Sequence, residues 1–156
     1  MLRDRSLVPL SHQHHNGLAL CVLTERALAG DSGDSSVARL ARYAIDRYEV
    51  ELTNHFDLEE GTLFPAIRDE LGDLPLVHEL VAEHRKIETL IEALRVRPAT
   101  GTLRELTALL RSHIRREENE LFQEIQQRLS RDTLDRIGAV LEERAVRVCL
   151  EPPRSA

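Results

Sequence analysis

Tryptophan is absent, and two tyrosines and three phenylalanines bring the aromatic share to only 3% of 156 residues. The core must therefore be built from Leu, Val, Ile and Ala. The two cysteines, Cys21 and Cys149, stand in no CxxC arrangement, so they read as reduced, mostly buried thiols. The N-terminal stretch MLRDRSLVPLSHQHH carries charge but no apolar h-region, and no secretory signal is expected there. No apolar run approaches the roughly 18 residues of a membrane span. Basic runs are missing as well, and the net charge is −6. A nucleic-acid backbone would need a clustered Lys/Arg face, so that partner is not expected. The expectation is a cytoplasmic protein with neither a membrane nor a nucleic acid as partner.

What is present is 42% apolar and 31% charged residues with few Gly and Pro, a composition that favours helices. The length fits one domain, residues 1–150, followed by a frayed tail over 151–156. Helical periodicity marks five segments. The first covers about Ser11 to Ala29, with Leu10, His14, Leu18, Cys21 and Leu28 near one stripe and Gly30 as the stop. The second covers about Val37 to Gly61, with the serines of the DSGDSS loop as caps. A further turn or two over Thr62 to Leu71 should be broken or bent at Pro65. The third covers about Pro75 to Val96 and the fourth about Thr102 to Leu129. Ser130 should cap a shorter fifth helix, about Arg131 to Val148. Four long helices on short loops predict an all-α fold: an up-down-up-down four-helix bundle with a short additional C-terminal helix.

The chain also writes one pattern twice. Leu10-Ser-His-Gln-His14 parallels Leu80-Val-Ala-Glu-His84, and HFDLEE from His55 parallels HIRREE from His113. Residues i and i+4 share a helix face, so His55 points with Glu59 and His113 with Glu117. All four fall on core-facing stripes. A buried carboxylate is costly unless paired or bound to a cation, and these faces offer no inward Lys or Arg. A metal supplies the charge. Histidine and glutamate together suit iron, and less specifically manganese or zinc. Counting favours two ions. Four imidazoles, two bridging carboxylates and one solvent-derived oxygen bridge give about ten bonds of the roughly twelve that two octahedral ions take. An open position remains for a small molecule.

These residues resemble the haemerythrin-like, or HHE cation-binding, family over roughly residues 8 to 130. The match is His14, His55-x-x-x-Glu59, His84 and His113-x-x-x-Glu117, with HFDLEEGTLFP and REENELF close to the family's wording. The resemblance implies a four-helix bundle around a non-haem di-iron centre of the Fe–O–Fe type. The implied metal ligands are His14, His55, Glu59, His84, His113 and Glu117, both glutamates bridging. Oxygen carriers of the family have a histidine one turn after the third-helix ligand. Here that position is Glu88, which speaks against reversible O2 carriage. The fourth-helix motif also has a glutamate where oxygen carriers use an aspartate at slightly different spacing.

Several positions stay open on sequence. His14 and His15 compete for the first ligand, the internal repeat favouring His14, while His12 and His78 lie off the stripes. Glu88 is either an added ligand or a surface residue paired with an Arg. Tyr48 is either core or a partner of the centre. Glu60 and Glu118 are either solvated or hydrogen-bonded to ligating histidines. The functional reading is a metal-binding protein that binds or senses a small molecule (O2, NO or peroxide), or iron and redox state. Its rivals are a redox enzyme removing peroxide or NO with an external reductant, and a metal-free helical scaffold. The fifth helix packs either on the bundle or on another subunit, which leaves a homo-oligomer open.

Overall fold

A computed structural model describes residues 2–148. Cys149 and the tail expected over 151–156 lie outside the described residues. Those described are overwhelmingly helical, and no strand occurs among them.

The first helix, Val8–Gly30, follows a short 3-10 turn, Arg5–Leu7. Asp4 caps that turn, its carboxylate accepting the Ser6 N–H at 3.0 Å. The second helix is one rod over residues 34–71. Its α segments Asp34–Arg47, Thr53–Leu58 and Phe64–Leu71 are joined by wide π turns at Tyr48–Leu52 and Glu59–Leu63. Its start corrects the serine-cap expectation. Gly33 is the N-cap, the Asp31 carboxylate takes the Gly33 N–H at 2.9 Å, and Ser36 is buried inside the first turn. Pro65 neither breaks nor ends the rod. The π turn just before it, whose Phe64 N–H reaches back five residues to the Glu59 carbonyl, loosens the ladder where the proline nitrogen has no hydrogen to give.

Gly72, at φ 83, turns the chain into the third helix, Pro75–Val96. The fourth helix is a second rod, residues 100–128, with a π turn at Glu117–Leu121. Ser130 caps the fifth helix, its hydroxyl accepting the Thr133 N–H at 3.2 Å. That helix ends at Arg144, short of the expected Val148. The backbone beyond it is held by side chains of the first two helices instead. Asn54 bonds the Arg144 carbonyl and the Val146 N–H, Gln13 the Val146 carbonyl, and Asn16 the Val148 carbonyl.

The first helix lies beside the second and fourth, and the third beside the same two, which closes a four-sided bundle. Short connections between neighbours make the helices alternate in direction. The fifth helix crosses one end and buries Leu134, Ile137 and Leu141. It sits close to the N-terminal turn: a Cβ on Gly138 would stand 3.0 Å from the Ser6 Cα. No helix among the described residues is long and apolar enough to cross a membrane.

Two apolar clusters fill the interior. One holds Leu20, Cys21, Leu40, Ile87, Ile91 and Leu110 among others. The other, under the fifth helix, includes Leu10, Leu63, Phe64, Leu80, Phe122 and Ile125. Between them lies a layer of buried polar side chains.

Candidate metal centre

The polar layer is His14, His55, Glu59, His84, His113 and Glu117, each at most 2% exposed. Four helices contribute. The first and third give one histidine each, and the second and fourth give a histidine and a glutamate one turn apart. In both long rods a π turn begins at the glutamate itself, at Glu59 and at Glu117. Such turns insert an extra residue and recur at functional sites. Nothing in the periodicity of the sequence signals them.

Each glutamate divides its oxygens between two histidine pairs. Glu59 Oε1 lies 2.8 Å from His55 Nε2, and Glu59 Oε2 lies 3.0 Å from His84 Nε2. Glu117 Oε2 is 2.8 Å from His14 Nε2, and Glu117 Oε1 is 3.1 Å from His113 Nε2. Two sets of four donor atoms result: His14, His55, Glu59 and Glu117, and Glu59, His84, His113 and Glu117. Within each set all donor atoms fall within 4.8 Å of one another.

These short distances are mostly not hydrogen bonds. Both Glu59 oxygens, Glu117 Oε1, His84 Nε2 and His113 Nε2 are buried and lack a hydrogen-bond partner. A buried unsatisfied polar atom costs about 1–3 kcal/mol, more if charged. Five in one layer, aimed at common points, fit a cation and not a self-contained polar core. Nitrogen and carboxylate oxygen in equal number suit a transition metal such as iron.

The outer ring nitrogens fix the tautomers. His14 Nδ1–H donates to Glu118 at 2.6 Å, His55 Nδ1–H to Gln13 at 2.9 Å, His84 Nδ1–H to Glu60 at 2.9 Å, and His113 Nδ1–H to Glu83 at 2.7 Å. Each bond occupies the outer nitrogen and turns Nε2 inward, where a bound cation would take the place of its proton. Burial opposes charge on His55 and His113. Their glutamate neighbours nevertheless push both up to about 10. Burial and Glu117 would raise the Glu59 carboxyl, but His55 and His84 hold it down. Burial would raise Glu117 as well, and His113, His14 and His55 hold it well below its ordinary value. The two carboxylates thus draw positive charge into the layer.

All three phenylalanines of the chain stand on these rings. Phe56 stacks on His84 with centroids 3.9 Å apart, Phe122 stacks on His14 at 5.4 Å, and Phe64 lies parallel to His84 at 6.1 Å. They wall the layer from water on both sides.

His14 faces the layer, while His15, His12 and His78 are exposed. Glu88 pairs with Arg85 at 2.9 Å, the surface reading. Tyr48 meets Phe56 edge-on, one ring removed from His84. Cys21 belongs to the aliphatic cluster, bonds the Thr107 carbonyl at 3.4 Å, and is pushed up to about 12 by burial. Glu60 and Glu118 are the hydrogen-bonding kind. Sequence reasoning missed Gln13 and Glu83. Both directly precede a lone histidine of the repeat, the signal that could have found them.

Residues 7–125 match the model of the Hemerythrin HHE cation binding domain. No curated protein and no solved structure matches the chain.

Proposed function

The chain belongs to the haemerythrin HHE cation-binding family, and from that premise we propose that it holds two iron ions in the polar layer and meets a small molecule there. His14 and His55 would ligate one ion, His84 and His113 the other, with Glu59 and Glu117 bridging. The observation that carries this reading is the division of each carboxylate, one oxygen toward each histidine pair. When bound, the metal pair would supply redox capacity and an open coordination position.

The protein's own contribution is placement. Glu118, Gln13, Glu60 and Glu83 hold the four rings in the ligating tautomer. Phe56, Phe64 and Phe122 exclude bulk water. A cavity of about 240 Å³, open to solvent, is walled by Glu60, Phe64, Ile67, Val77 and Val81. Glu60 is itself bonded to His84, so solvent in this cavity comes within one side chain of the layer. Binding or sensing is the reading; turnover would need an external reductant.

The test is metal per chain on protein from iron-supplemented cells, with the ultraviolet–visible spectrum of the same sample. Two irons per chain, with a near-ultraviolet charge-transfer shoulder that bleaches on reduction, is the expected result. A folded helical protein with no bound metal would overturn the proposal.

A further inference from the structure

The repeat extends beyond the six inward residues. Residue 13 precedes His14 and bonds His55; residue 83 precedes His84 and bonds His113. Residue 60 follows Glu59 and bonds His84; residue 118 follows Glu117 and bonds His14. Residues 60 and 118 thus each support the lone histidine of the other half, and residues 13 and 83 the paired histidine of their own half. The repeat is broken once: three supports are glutamates, and residue 13 is glutamine.

The break is compensated locally. Each glutamate is held from outside by an arginine: Glu118 by Arg3, Glu60 by Arg85 and Glu83 by Arg116. In the repeat Arg116 corresponds to Leu58, since each precedes an inward glutamate. The charged pair Glu83–Arg116 is therefore replaced by the uncharged pair Gln13 and Leu58. Gln13 is 2% exposed, and its orientation is fixed. Its Nε2 donates to the Asn54 Oδ1 at 2.9 Å and to the Val146 carbonyl at 3.0 Å. Asn54 is fixed in turn, because its Oδ1 takes the Val146 N–H and its Nδ2 donates to the Arg144 carbonyl. Only the Gln13 oxygen is left for His55.

A carboxylate bonded to the outer nitrogen makes an imidazole a stronger donor to a cation than a carboxamide does. The arginines lie beyond the carboxylates and reduce this advantage without cancelling it. The geometry points to two unequal metal positions, with Gln13 as the positioning residue that makes the His14/His55 position the weaker. The inference rests on the two-metal reading above.

The test uses the full chain, freed of metal and titrated with Co(II) without oxygen. Stepwise affinities come from competition with a chelator, and the order of filling from the histidine ring signals in NMR. The expected result is two steps separated by about 10–100-fold, the size of effect seen when an outer partner of a metal ligand is changed. The His84 and His113 signals should move first. Glu83→Gln should weaken the first step and bring the two together. Gln13→Glu should strengthen the second, and Glu83→Gln stands alone if Gln13→Glu unfolds. Two equivalents of one affinity, filling from His14 and His55, or a gap unchanged in folded Glu83→Gln would each overturn the inequality and leave the two-metal reading standing. No bound Co(II) at all would overturn both.

Discussion

The two halves of the bundle, residues 8–71 and 75–128, follow one plan and differ in their supports. Each gives a lone histidine, a histidine–glutamate pair one turn apart, a π turn beginning at that glutamate, and a phenylalanine directly after the turn (Phe64 or Phe122). Only the first half has a second π turn, Tyr48–Leu52. Only the first half is clasped by the segment after the fifth helix, through Asn54, Gln13 and Asn16. Behind His55 the first half uses uncharged amides tied to residues 144–148; behind His113 the second uses the ion pair Glu83–Arg116. The inward residues tolerate no such divergence, because both halves must present the same donors to one layer.

The largest effect should come from removing what the halves share. Glu117→Ala takes one carboxylate oxygen from each donor set, and metal content by elemental analysis should fall toward zero; His55→Ala should cut it sharply as well. His12→Ala, His15→Ala and His78→Ala should leave it unchanged. Equal metal in all five variants would sink the assignment of the centre.

Next is the phenylalanine that closes the fourth-helix π turn. Phe122 is fully buried, stacked on His14, with the Arg3 guanidinium 5.1 Å from its ring centroid. Phe122→Ala should cost about 3–5 kcal/mol in denaturant unfolding. Phe64→Ala, its repeat counterpart, should cost a similar amount, and a much smaller loss there would show that the halves are packed unequally.

The fifth helix should be more forgiving. Gly138→Val meets the Ser6 backbone, which cannot swing aside as a side chain can. The loss should be about 1–3 kcal/mol, with the spectrum of the bundle helices largely kept. No loss would mean that this helix sits farther from the N-terminal turn.

The smallest effect concerns acid. The N-terminal turn has no counterpart before the third helix, which is entered through Leu74 with no side-chain cap. Asp4 bonds Arg131 and the Ser6 hydroxyl and N–H, and the Arg131 bond above all holds its carboxyl well below the usual range. A depressed carboxyl contributes stability that is full above its unfolded value, near pH 4, and is lost as pH falls toward the folded value. Because the pair is partly exposed, about 1 kcal/mol is expected. Asp4→Asn should flatten the stability curve below pH 4, and an unchanged acid slope would show that other groups carry it.

Much of this protein was legible without coordinates. The 3.6-residue spacing of Leu, Ile and Val, interrupted at Gly30, at the DSGDSS loop and at Gly72, was enough for four long helices and a fifth. The doubled histidine–glutamate spacing picked out the inward residues, because a buried carboxylate with no nearby cation of its own needs one. Other features depend on where distant backbones meet. The π turns are set by packing and leave no periodic mark. Pro65 reads as a break or a bend until the wide turn before it is seen. The role of Gln13 needed His55, forty-two positions away, and the Val146 carbonyl, still farther. Sequence determined that the two histidine–glutamate pairs must face inward, since that follows from local spacing and the cost of burying charge, while the choice of His14 over His15 fell to the structure. Tertiary structure alone decided what stands behind each of them, since a hydrogen-bond partner from another helix obeys no spacing along the chain.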